Sequence, residues 1–194
     1  MKKKALTLFN PKGAGRPKGR GKHYIPHIKR EALPAKTPVH ITIKINKEYK
    51  GLRNKTFLSI TKLAIKKARL KGLRVIYFTI QFDHLHLFIE PKNMRELSNG
   101  IRSLVCAMAE RMRRHLKLDK LKSFVKDRYH LHILKTPREV KNAIKYILGN
   151  TIKHSGVFRN LCPYTFTFKK PESFALEPPR FWLSNSCFLS KLIV

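Results

Sequence analysis

Arg74-Val75-Ile76-Tyr77-Phe78-Thr79-Ile80-Gln81-Phe82-Asp83-His84-Leu85-His86-Leu87-Phe88-Ile89-Glu90 is the stretch on which the fold turns. Two runs rich in β-branched and aromatic residues are separated by only Phe82-Asp83, the spacing of a tight antiparallel hairpin with strands at Arg74 to Gln81 and His84 to Glu90. Successive side chains of a strand alternate between faces, so His84 and His86 share one face. Two imidazoles held this way form a metal-site geometry; the bland alternative is two rings that pack into the sheet or point at water.

Upstream, Val39, Ile41, Ile43 and Ile45 alternate with His40, Thr42, Lys44 and Asn46, as in a half-buried strand. Thr56 to Leu70 places Phe57, Ile60, Leu63, Ala64 and Ala68 on one side of a helix, with Gly72 as a stop. A second long helix fits Met94 to Leu116, with Leu97, Ile101, Leu104, Val105, Met108 and Met112 at helical spacing. A fourth strand is expected over Phe124 to Leu134. Thr136-Pro137-Arg138-Glu139 is a capping box with proline at the first helical position, which starts a last helix reaching about Lys153.

Strand, helix, strand, strand, helix, strand, followed by an added helix, is the order of an α+β ferredoxin-like split β-α-β-β-α-β fold, an antiparallel sheet with two helices on one face. In that topology the third strand is interior and the fourth lies beside the first. The added helix can then lie across the other face. Its Val140, Ala143, Ile144 and Ile147 form an apolar stripe, beside a polar stripe of Asn142, Tyr146, Asn150 and Lys153. Tyr146 and Asn150, four apart, share a helix face, so a phenol and an amide oxygen could join the two imidazoles. A buried tyrosine with one hydrogen bond and a helix-ending asparagine are the plainer alternatives.

The chain of 194 residues carries 43 Lys and Arg against 11 Asp and Glu, a formal net charge of +32. Such a field attracts polyanions, and nucleic acid is the expected partner, with binding that weakens as salt rises. A membrane is not expected, since no long uncharged apolar run is present. Cys106, Cys162 and Cys187 are widely spaced and lack a C-x-x-C arrangement, which fits free thiols in the cytoplasm.

Three segments are expected: a flexible basic arm at 1–37, a domain at 38–154, and an aromatic and proline-rich extension at 155–194 with a short strand at Tyr164 to Phe168. The arm contains Gly15-Arg16-Pro17-Lys18-Gly19-Arg20, which resembles an AT-hook core, although a generic polybasic tail accounts for it as well. Candidate phosphate contacts are Arg16, Lys18 and Arg20 in the arm, Arg128 before the fourth strand, and Lys145 and Lys153 on the last helix.

His130-Leu131-His132 repeats the H-x-H spacing on the fourth strand, with Tyr129 as a rival nucleophile. Periodicity does not separate the two pairs. Topology favours His84 and His86, and gives His130 and His132 a structural or DNA-contacting role, with Tyr129 on the opposite sheet face.

On the hairpin ending Gln81-Phe82-Asp83-His84-Leu85-His86-Leu87, the stretch Phe124-Val125-Lys126-Asp127-Arg128-Tyr129-His130, and the helix Pro137-Arg138-Glu139-Val140 leading to Tyr146-Ile147-Leu148-Gly149-Asn150, the chain resembles the HUH single-tyrosine transposases. The resemblance is particularly to the REP-associated tyrosine transposases and their insertion-sequence relatives, over roughly Pro38 to His154. The resemblance implies Tyr146 as nucleophile, His84 and His86 as metal ligands with Asn150 as the third, Mg²⁺ or Mn²⁺ as cofactor, and single-stranded or hairpin DNA as substrate. Phe82-Asp83 replaces the Pro-Asn often found before the first histidine, and Asn150 stands where many relatives have glutamine. A homodimer is compatible with the sequence. Two other classes use the same charge: a domesticated DNA-binding protein without turnover, and an RNA-binding module.

Overall fold

The computed structural model describes residues 30–49, 51–117, 123–149, 164–167, 176–181 and 184. The described residues from Ala32 onward make one compact unit. Strand β1 (Val39–Lys44) leads to helix α1 (Lys55–Arg69), the hairpin strands β2 (Val75–Ile80) and β3 (His84–Ile89), helix α2 (Met94–Leu116), strand β4 (His130–Ile133), helix α3 (Pro137–Gly149) and a short strand β5 (Thr165–Thr167). All pairings are antiparallel and the sheet order is β4-β1-β3-β2-β5. This is the expected split arrangement, with β3 interior and β5 added at the β2 edge.

Each helix starts where a side chain satisfies backbone N–H groups that have no partner within the helix. Asn54 Oδ1 accepts from Phe57 N at 2.7 Å, and Asn93 Oδ1 from Glu96 N at 2.8 Å. At α3 the capping box closes: Thr136 Oγ1 accepts from Glu139 N at 3.2 Å, while Glu139 Oε2 accepts from Thr136 N at 3.0 Å and Lys135 N at 2.6 Å. These backbone bonds, Thr136 first, hold the exposed Glu139 carboxyl below the usual carboxylate range.

Two apolar clusters lie on opposite faces of the sheet. Val39, Ile41, Ile43, Leu85, Leu87 and Ile89 pack against α1 and α2 in the larger one. The smaller joins Ile76, Tyr77 and Phe88 of the sheet to Val140, Ala143, Ile144 and Ile147 of α3. Because both faces are covered, every residue of β2 is buried, which is why that strand reads as a continuous apolar run. A register shift between Val75 and Tyr77 is a bulge that turns Ile76 and Tyr77 toward α3 together.

The fourth strand is shorter than the expected Phe124 to Leu134. Val125 makes only an isolated bridge to Ile45, and Lys126-Asp127-Arg128 breaks the ladder before His130. Beyond β5, Glu177 N donates to Val75 O at 3.1 Å, and the buried Glu90 carboxylate accepts from Arg180 N at 2.8 Å and Phe181 N at 3.1 Å. Arg74 donates to Glu90 Oε2 at 3.2 Å and also meets Glu177 and the Pro178 carbonyl, fastening this segment to the base of the hairpin.

Candidate active site

The cross-strand register gathers the polar residues of three strands on the α3 face. His40 stands opposite His132 on one side and Phe88 on the other; Thr42 stands between His130 and His86; Lys44 faces His84. The histidines, Thr42 and Lys44, together with Glu139, Asn142, Ala143 and Tyr146 of α3, line a cleft of about 630 Å³. Five imidazoles therefore lie on one side of a sheet whose opposite side is aliphatic.

Tyr146 is 47% exposed at the edge of the α3 contact. Its ring centroid lies 5.2 Å from that of His86 and 5.9 Å from that of His40, and His84 lies 4.6 Å from His86. Ala143, Ile144 and Ile147 seat the helix on the sheet, so Tyr146 falls at the rim of the contact with its phenol over the histidines.

Two neighbours orient the imidazoles. His84 Nδ1 is 2.6 Å from Asp83 Oδ1, so Nδ1–H donates to the carboxylate, and in the neutral ring the lone pair is on Nε2. That bond from His84 is the main reason the Asp83 carboxyl lies below its usual range. His86 Nδ1 is 3.1 Å from both Thr42 Oγ1 and His40 Nε2. With the proton on Nδ1, the His86 lone pair is likewise on Nε2. Burial, followed by the neighbouring imidazoles, lowers His86 to about 3 and His40 to about 4, so both rings are neutral near pH 7.

Imidazoles with a carboxylate or hydroxyl beside the second nitrogen are the donor chemistry a divalent cation takes, and to that extent the residues fit a metal. Among the described residues no group of three His, Cys, Asp or Glu side chains is arranged to hold one. Asn150, the expected third donor, lies outside the described residues, as do Arg16, Lys18, Arg20 and Lys153.

Of the other expected contacts, Lys145 is exposed on α3 outside the cleft lining. Arg128 belongs to a separate groove with Ile43, Ser98, Ile101 and Arg102, on the side of the sheet that α2 covers. Tyr129 packs against the larger core and takes no part in the cleft. His130 and His132 do line the cleft. Sequence reading also passed over His40, Thr42 and Lys44 as the outer half of β1, and Asp83 as a turn residue. The available signal was that β1 runs between two strands that each carry H-x-H.

A family model described as "Transposase IS200 like" matches residues 35–150. The chain belongs to the IS200-like transposase family. Membership places it among proteins that process DNA in transposition. Among solved structures, it resembles a REP-associated tyrosine transposase bound to a REP hairpin, at 18% identity and TM-score 0.58, covering 79% of this chain and 89% of that one. It also resembles a candidate transposase from Deinococcus radiodurans R1, at 16% identity and TM-score 0.45, with 63% and 97% covered. A bacterial tRNA(His) guanylyltransferase-like protein in complex with GTP aligns at 16% identity and TM-score 0.46, with 64% and 68% covered. No curated protein matches the chain. The first of these structures supports the fold, and no described helix of this transposase-family chain is long and apolar enough to cross a membrane.

Proposed function

We propose that this member of the IS200-like family cleaves and rejoins single-stranded DNA, including strands beside hairpins, through Tyr146 as nucleophile. The observation that carries the reading is the 5.2 Å separation of the Tyr146 and His86 rings across a cleft that His84 also lines. The Tyr146 phenol oxygen attacks the phosphorus of the scissile linkage. The bond from phosphorus to the 3′ oxygen breaks, that oxygen takes up a proton equivalent to the one the phenol gives up, and a 5′-phosphotyrosine results. Attack by a free 3′ hydroxyl reverses the exchange and releases the tyrosine, so the bond energy is conserved.

His84 and His86, with Asn150 as the expected third donor, would hold a Mg²⁺ or Mn²⁺ ion. When bound, the ion polarises the phosphoryl oxygens and steadies the charge that develops on them. Asp83 orients the His84 ring, Thr42 and His40 meet His86 Nδ1, and Lys44 at the end of the cleft can meet a phosphate. The basic arm with Arg16, Lys18 and Arg20, together with Arg128, Lys145 and Lys153, would hold the strand through phosphate contacts as a salt-sensitive layer. The protein would act in the cytoplasm.

The test is a trapping assay with single-stranded hairpin DNA and Mn²⁺. A covalent protein–DNA adduct with the wild type and none with Tyr146→Phe is the expected result. An adduct surviving in Tyr146→Phe would sink the assignment. Absence of an adduct in the wild type, with salt-sensitive DNA binding intact and indifferent to His84→Ala, would make the chain a binder without turnover.

A further inference from the structure

The cleft ends at Lys44 and His84, and immediately beyond that end the β2–β3 turn presents Phe82, which is 59% exposed. An exposed phenylalanine in a tight turn is costly to hydrate, yet this turn is held firmly. Gln81 N donates to His84 O at 2.9 Å, and Ile45 N donates to Asp83 O at 2.8 Å. The ring itself is braced, because the Arg53 guanidinium carbon lies 5.2 Å from the Phe82 ring centroid and 5.2 Å from that of Tyr164. Tyr164 is fixed in turn by its carbonyl, which accepts from Ile80 N at 3.0 Å. The Arg53 guanidinium thus bridges two aromatic rings at the turn that precedes the candidate metal ligand His84, with Tyr164 resting on the larger cluster behind the sheet.

This composition fits one kind of ligand. An aromatic face backed by a guanidinium stacks on the π-face of an unpaired base, and the surrounding positive charge follows the strand's phosphates. A paired base presents no such face.

We infer that Phe82, braced by Arg53 against Tyr164, is a stacking platform for one unpaired nucleobase of the DNA strand entering the cleft. The inference rests on the single-strand reading of the cleft, and adds a contact that selects unpaired over paired DNA next to the cut. Because Asp83 follows Phe82 directly and holds His84, a base seated on this ring would set the distance of its neighbouring phosphate from the imidazoles.

The experiment uses the full chain carrying Tyr146→Phe, so that DNA stays uncut, and a hairpin oligonucleotide with single-stranded flanks. One base at a time is replaced by 2-aminopurine or by an abasic residue. The expected result is that adding Phe82→Ala weakens binding roughly tenfold, the scale of one lost base stack, without changing the slope of affinity against salt. Phe82→Trp should retain the affinity of the parent, and blunt duplex should bind alike to the parent and the Phe82→Ala variant. An abasic residue at one flank position should erase the difference between those two proteins. Quenching of 2-aminopurine at that same position should vanish with Phe82→Ala. Equal affinity of the two proteins, or an equal loss on duplex and at every abasic position, overturns the platform. Because binding is read in an uncleaving background, a missing covalent adduct in the trapping assay would count against Tyr146 chemistry and leave this result standing.

Discussion

The two faces of the sheet are built from the same strands and serve opposite ends. Toward α1 and α2, β1 and β3 present Ile41, Ile43, Leu85 and Leu87, none more than 2% exposed. Toward α3 the same strands present His40, Thr42, Lys44, His84 and His86, and only Phe88 joins an apolar cluster there. The first face carries stability at about 25 cal/mol per Å² of apolar surface buried. The second gives up much of that to hold polar groups in fixed positions. A helix docked over part of this face, rather than all of it, leaves a cleft with a rigid floor.

Truncating two neighbouring residues of β3, one on each face, should have opposite consequences. Leu87→Ala should cost about 2–5 kcal/mol in denaturant unfolding, by loss of burial and the cavity left behind. His86→Ala, one residue away, should remove Mn²⁺ binding, seen by calorimetry, while costing much less stability. If the two variants lose stability equally, the division of labour is wrong.

Acid should weaken the α3 face. In the unfolded chain His40 and His86 take up protons near 6.5, whereas burial in the folded protein lowers them to about 4 and about 3. The unfolded state therefore binds more protons between those values, and stability present above pH 6.5 is lost as pH falls toward 4. The loss should reach up to about 1.4 kcal/mol per pH unit for each ring. Thermal melts in chelator should show this slope in the wild type and a shallower one in His40→Gln.

A smaller effect is expected at the orienting carboxylate. Asp83→Asn should lower Mn²⁺ affinity by roughly 10–100-fold, the usual range for loss of a histidine's hydrogen-bond partner, with thermal stability nearly unchanged. The smallest belongs to the outer imidazoles: His130→Gln with His132→Gln should change DNA affinity by no more than about threefold, about 0.7 kcal/mol, and leave adduct formation intact. A large loss of adduct there would promote the β4 pair to a direct role.

The order of elements, the interior place of β3 and the two stripes of α3 were legible because each depends on local periodicity and on turn and cap chemistry. Thr136 and Glu139 announce their helix within four residues, and the structure closes their hydrogen bonds as expected. What was hidden depends on register between distant segments. The partnership of His40 with His86 spans 46 residues, so alternation alone marked His40 as an outer polar residue. The same holds for Glu90 with Arg180, and for the bulge that sends both Ile76 and Tyr77 toward α3. The shortened β4 has a different cause: Lys126-Asp127-Arg128 offers no apolar alternation to sustain a ladder, and only the apolar residues flanking it had suggested one.

The β2–β5 pairing bears on biosynthesis. While the chain is being made, the outer margin of β2, with its Val75-Ile76-Tyr77-Phe78 run, has no mate until Thr165–Thr167 leaves the ribosome, roughly 5–15 s later at ordinary translation speeds. During that interval a sticky strand border faces the cell, open to self-association or chaperone capture. Exposure ends when the Thr79 and Thr165 hydroxyls meet at 2.8 Å and the Glu90 latch closes behind them.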